Sequence, residues 1–171
     1  MTLILIGFMG VGKSTVAHAL AQRYQLSAVD LDQVISQTYG PIEKIFDRAG
    51  EAEFRRLEYQ TLARCLQGQG SPDVLALGGG IVETPASQQL LRRQAQVLWL
   101  NGSFELSWQR IDHAAGRPLV ATLTRNGLLQ RFEQRQQLYA DVATDQLALN
   151  EPVPPPAELA ATIYQHFFDL S

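Results

Sequence analysis

The chain has 171 residues, 46% of them hydrophobic and 18% charged, a composition that fits one globular domain large enough to hold a true core. A formal charge of −3 and the lack of any basic run argue against nucleic acid or an anionic membrane as a partner. No apolar stretch approaches membrane-spanning length, and the lone Cys65 supports neither a disulfide framework nor a thiolate metal site, so a soluble protein of the reducing cytoplasm is expected.

The first element is the apolar run Leu3-Ile4-Leu5-Ile6, which suits a strand buried on both faces. Directly after it comes Gly7-Phe8-Met9-Gly10-Val11-Gly12-Lys13-Ser14-Thr15, the G-x-x-x-x-G-K-[ST] pattern of a phosphate-binding loop. The period then changes, placing Val16, Leu20 and Tyr24 on one helical face. Glycines let backbone N–H groups close around phosphate oxygens, and the helix that follows turns its positive end toward them. Lys13 is then a point charge for the outer phosphates, and the Ser14 hydroxyl is one ligand for Mg²⁺.

Residues 27–32 predict a short strand carrying Asp30 and Asp32. If the strand continues that far, both carboxylates point the same way, and in a parallel sheet they share an edge with the phosphate loop. The competing reading makes Asp32 the N-cap of a helix over residues 33–39. Pro41 opens a short helix through Ile42, Ile45 and Phe46, and Gly50 ends it. A longer helix over residues 51–66 follows, with Phe54, Leu57, Leu62 and Cys65 on its buried side. Arg55 and Glu58, three apart, read on spacing alone as a solvated ion pair.

A loop over residues 68–72 leads into the apolar strand 74–77, and Gly78-Gly79-Gly80 then offers bare backbone on which a small ligand could lie. The generic phosphate-loop enzyme carries an Asp at the end of a second apolar strand to help hold Mg²⁺. Here the strand ends in glycine, which turns the search for a metal carboxylate to Asp30. Beyond it are predicted a helix over 85–93, a strand over 97–100 and a helix from Phe104 to Arg110. The glycine-containing segment that follows bears Arg117 and has the form of a lid, at about 112–124. A helix over 123–142 holds Arg131, Arg135, Leu138 and Tyr139; a last strand, 146–149, a proline-stiffened loop, 152–156, and an amphipathic helix, 157–168, close the chain. Strands alternating with helices predict a single α/β domain, its parallel sheet covered on both faces.

With these motifs in order, the chain resembles the shikimate kinases, phosphate-loop kinases of the nucleoside-monophosphate-kinase type. The similarity rests on G-x-x-G-x-G-K-S-T at 7–15, D-x-D at Asp30 and Asp32, G-E-x-x-F-R-x-x-E at 50–58, G-G-G at 78–80, R-P-L at 117–119 and R-x-x-L-Y-x-x-V-A at 135–143. One departure is Gln137, where the family usually has proline.

The resemblance implies a three-layer α/β/α fold, with a five-stranded parallel sheet in the order 2-3-1-4-5, a substrate-binding helical region at about 31–66 and a short lid. It also implies Mg²⁺-dependent transfer of the ATP γ-phosphoryl group to the 3-hydroxyl of shikimate; a monomer is the default expectation. Gly10, Val11, Gly12, Lys13, Ser14 and Thr15 would hold the nucleotide, with Arg110 and Pro152 toward the adenine and Arg117 on the transferred group. Ser14 and Asp30 would serve the metal. Arg55 and Arg135 would grip the substrate carboxylate, with Glu58 orienting Arg55 and Gly78, Gly79 and Gly80 giving backbone contact. Phe46 and Phe54 would wall the ring, and Asp32 would bind its hydroxyls; Lys13, Asp32 and Arg117 are the catalytic candidates. Two rivals remain at this point: a gluconate kinase-like enzyme, and a non-catalytic module that binds nucleotide or shikimate.

Overall fold

The computed structural model describes residues 1–68, 70–111 and 124–169. Five strands, β1 (Leu3–Ile6), β2 (Ala28–Asp30), β3 (Val74–Ala76), β4 (Val97–Gly102) and β5 (Asp145–Leu149), form one sheet in the order β2-β3-β1-β4-β5. Every pairing is parallel, with Leu5 at the centre between Ala76 and Leu98. Seven α-helices are present among the described residues: α1 (Lys13–Tyr24), α2 (Leu31–Tyr39), α3 (Ile42–Gln67), α4 (Pro85–Leu91), α5 (Phe104–Ile111), α6 (Arg125–Val142) and α7 (Pro156–Phe167). A 3-10 turn, Ile81–Glu83, leads into α4.

Strand alternation sorts the apolar run of β1 into two cores. Leu3 and Leu5 join Val74, Ala76, Leu98 and Leu100 beneath Val16 and Leu20 of α1 and Leu159 and Ile163 of α7. Ile4 and Ile6 face the opposite way, with Leu75 and Trp99, into Ile35 of α2, Phe54 and Leu62 of α3 and Leu128 and Tyr139 of α6. Each such side chain contributes roughly 1.5–3 kcal/mol on burial. The result is the expected three-layer fold with the expected strand order.

Two local features set the site. β2 stops at Asp30 because that residue caps α2: its Oδ1 accepts the amide N–H of Asp32 at 2.9 Å and of Gln33 at 3.3 Å. The cap is therefore Asp30 and not Asp32, which lies in the first turn of α2, where the helix dipole favours an acid. The second feature is the interruption of α3 at Gly50, whose φ of 79° and ψ of 175° separate a short leading segment from the long one carrying Phe54, Arg55 and Glu58.

Candidate active site

Because every strand runs the same way, the carboxyl ends of β1, β2 and β3 open on one edge, and there the glycine loop, Asp30 and residues 78–80 meet. The cleft between them has a volume of about 570 Å³, the size of a small-molecule site.

At one end lies the loop. Gly12 sits in the left-handed region at φ 109° directly before α1, a conformation that other residues adopt at a cost. No side chain caps α1, which leaves its N-terminus open toward the cleft for an anion. Lys13 is buried, its Nζ donating to the carbonyls of Gly7 at 2.7 Å and Phe8 at 3.0 Å. The Ser14 hydroxyl donates to the Asp30 carboxylate, so two hard oxygen donors from separate elements meet beside the loop. Arg110 reaches back from α5 and donates through Nη1 to the carbonyls of Val11 at 2.9 Å and Gly10 at 3.3 Å. The wall at this end is made by Val153, Pro154, Pro156 and Leu159; Pro152 is not among the lining residues. Arg117 and the lid segment before Thr124 lie outside the described residues.

The other end is built from arginine and carboxylate. Arg55 Nη1 donates to Glu58 Oε2 at 2.8 Å, and the two side chains are only 11% and 1% exposed. The reading of this pair as solvated is therefore corrected: α3 turns it inward against the glycine run. Burial pushes the Glu58 carboxyl up to about 7, outweighing the pull of Arg55, and the neighbouring Asp32 charge adds to the rise. Burial disfavours the Arg55 charge too, but Glu58 and the nearby Glu83 and Glu51 outweigh it and hold its pKa above the ordinary value. The Asp32 and Glu58 carboxylates converge at Gly78, each with an oxygen 3.0 Å from where a Cβ on that glycine would stand.

Arg135 is 1% exposed, its guanidinium over the Phe8 ring at 5.5 Å. Its Nε–H donates to Glu83 Oε1 at 3.0 Å, while Nη1 and Nη2 make no hydrogen bond of good geometry among the described residues, the Tyr139 hydroxyl standing near enough to interact with the charge. A buried cation with two unmet donors is costly unless an anion completes it, and the planar Nη1–Nη2 edge is shaped for a carboxylate. Tyr139, one turn further along α6, donates its hydroxyl to the Gly79 carbonyl and packs against the Trp99 ring at 5.8 Å. Phe46 and Phe54, 5.0 Å apart, line the same end.

The structure thus brings every described candidate except Pro152 to one cleft. Outside the cleft lining, behind the arginines, stand Glu51, Glu83 and Arg131, for which the sequence pattern implied no role: Arg131 Nη1 lies 3.5 Å from Glu51 and 3.8 Å from Glu83. The i,i+4 spacing of Arg131 with Arg135 and of Glu51 with Arg55 was a visible signal; Glu83 had none.

A phosphate loop at one end of a cleft, facing an arginine-carboxylate acceptor end across a parallel 2-3-1-4-5 sheet, defines a phosphate-loop kinase of small molecules. The family model described as Shikimate kinase matches residues 9–167, and the chain belongs to the shikimate kinase family. A curated shikimate kinase from Lactococcus lactis is 41% identical over 146 residues, covering 84% of this chain and 85% of that one. The solved structure described as shikimate kinase from Acinetobacter baumannii in complex with shikimate superposes with a TM-score of 0.88 at 29% identity, over 99% of this chain and 95% of that one. A gluconokinase from Sinorhizobium meliloti shares the fold alone, at 16% identity and a TM-score of 0.59 over 98% of this chain and 95% of that one.

Proposed function

We propose that the chain transfers the γ-phosphoryl group of ATP to the 3-hydroxyl of shikimate, giving shikimate 3-phosphate and ADP for aromatic amino acid biosynthesis. The observation that carries this reading is Arg135, buried with two unmet Nη donors in the same cleft as Lys13 and Ser14. A small hydroxylated carboxylate supplies the missing anion and presents a hydroxyl to the donor end. In the reaction, the acceptor oxygen forms a bond to the γ-phosphorus, the bond from that phosphorus to the β–γ bridging oxygen breaks, and the hydroxyl proton leaves.

The roles divide by position. Gly10, Val11, Gly12, Lys13, Ser14 and Thr15 cradle the phosphates, and Lys13 exchanges its loop carbonyls for phosphate oxygens as charge develops. Arg110 and the 152–156 loop take the base side, and Arg117 serves the transferred group. Arg55 and Arg135 hold the carboxylate, Glu58 orients Arg55, and Phe46 and Phe54 flank the ring over Gly78, Gly79 and Gly80. Asp32 binds the ring hydroxyls and receives the proton. Ser14 and Asp30 would hold Mg²⁺, whose small, hard, partly hydrated sphere suits two protein oxygens completed by phosphate and water. When bound, the cation neutralises charge on the phosphates. The chain works as one domain and as a cytoplasmic monomer, with small molecules as its partners; no described helix is long and apolar enough to cross a membrane.

The test is ADP release from Mg·ATP with shikimate, with gluconate, or with no acceptor. Release stimulated by shikimate alone is expected. No stimulation by shikimate overturns the proposal, and stimulation by gluconate instead transfers it to the rival acceptor.

A further inference from the structure

One carboxylate links the two arginines of the acceptor end from behind. Glu83 Oε1 accepts Arg135 Nε at 3.0 Å, and Glu83 Oε2 lies 3.4 Å from Arg55 Nη2. Glu83 is not among the cleft-lining residues, whereas both arginines are. The link takes up Arg135 Nε and Arg55 Nη2, and it leaves the Nη1–Nη2 edge of Arg135 and the Nε of Arg55 without acceptors. The backbone is built around this contact. Glu83 ends the 3-10 turn that follows the glycine run, its own N–H donating to the Gly80 carbonyl at 3.0 Å. A Cβ on Gly80 would meet the Arg55 guanidinium, so a larger residue there would require Arg55 to shift from where it reaches Glu83. Arg131, 3.8 Å from Glu83, and Glu51, 3.3 Å from Arg55, extend the network outward, and among the described carboxylates Glu83 is the one paired with both Arg55 and Arg135.

We infer that Glu83 is a positioning residue for acceptor selection, fixing the separation and tilt of Arg55 and Arg135 so that together they fit one substrate carboxylate. A guanidinium is a rigid fork, and two forks grip a single carboxylate well only at one mutual geometry. Glu83 sets that geometry before the ligand arrives, so the arrangement is not assembled at the expense of binding. The inference rests on the proposed role of Arg55 and Arg135 as carboxylate ligands.

The test uses Glu83→Gln, which keeps the length and one acceptor oxygen but sets an NH₂ donor against the arginine that the other carboxylate oxygen faced. Steady-state kinetics are run on the unsubstituted chain and the variant with shikimate and with shikimate methyl ester, and melting temperatures are compared. Expected is a rise of about tenfold in KM for shikimate, the scale of one charge-assisted hydrogen bond lost, with kcat and KM for ATP within about twofold. The ester, which has no carboxylate to place, should be used equally well by both proteins. Glu83→Asp, too short to span both arginines, should fall on the same side as Gln. An unchanged or lower KM for shikimate overturns the inference. So does an equal loss with acid and ester, or a parallel rise in both KM values with a lowered melting temperature, because each marks a structural role only. If the unsubstituted chain does not turn over shikimate at all, the proposed function itself fails, an outcome separate from any effect of Glu83.

Discussion

At Arg135 the energetics are unusually exposed to test. Its side chain is buried, anchored through Nε to Glu83 and unmet at both Nη groups. Arg135→Ala should raise KM for shikimate by about a hundredfold, the scale of truncating one partner of a buried charge pair. KM for ATP should stay within about threefold, because the donor end is built from other elements. Steady-state kinetics check this, and equal effects on both substrates would remove Arg135 from the acceptor end. The same scale shows what a sequence conceals. The spacing of Arg55 and Glu58 announced a pair, but whether that pair faces water or the cleft depends on which side of α3 packs against residues 78–80. Glu83 was illegible for a simpler reason. It stands in no periodic pattern, and its partners are 28 and 52 residues away in the chain.

Elements were far more legible than contacts, because period and punctuation are local properties. The four apolar residues of β1, the change to helical period in α1 and the break at Gly50 all stand where the pattern placed them. The boundary of β2 moved because two local preferences compete at Asp30. As an N-cap the residue satisfies two amides that an extended strand would leave to other partners, and the cap prevails. Gly50 turns legibility into a prediction. Its φ of 79° and ψ of 175° lie in a region almost reserved for glycine, and nothing stands within 4 Å of where a Cβ would go. Gly50→Ala should therefore destabilise through backbone strain alone, by about 1–3 kcal/mol. The melting temperature should fall by roughly 2–4 °C for each kcal/mol. An unchanged melting temperature would mean that α3 straightens at this position without cost, which Arg55 would report as a shifted KM for shikimate.

For the whole molecule, the buried acid at the centre of the site couples folding to pH. The Glu58 carboxyl, held at about 7 chiefly by burial against an ordinary value of 4.5, keeps its proton in the fold after the unfolded chain has released it. The stability it contributes is full below about pH 4.5, is lost as the pH rises toward 7, and levels off beyond that. Unligated protein should thus lose melting temperature relative to Glu58→Gln, by a few degrees, between about pH 5 and about pH 8. Parallel curves for the two proteins would show that Arg55 keeps Glu58 ionised throughout. Asp73 runs the other way at the opposite edge of the sheet: the amide and hydroxyl of Ser27 hold its pKa below the usual carboxylate value, so its contribution is present at neutral pH and disappears in acid.

The contact between Trp99 and Tyr139 has a use of another kind. Tyr139 fastens the Gly79 carbonyl, and Trp99 lies buried against its ring on β4. The chain's other tryptophan, Trp108, is half-buried on α5 beneath Arg125. The two indoles occupy different surroundings, one in the core behind Tyr139 and one on the helix that supports the glycine loop. Replacing Trp108 with phenylalanine leaves a single indole, joined to the Gly79 carbonyl through Tyr139, and a change in its emission as shikimate is added is the expected outcome, read by fluorescence titration without an attached dye.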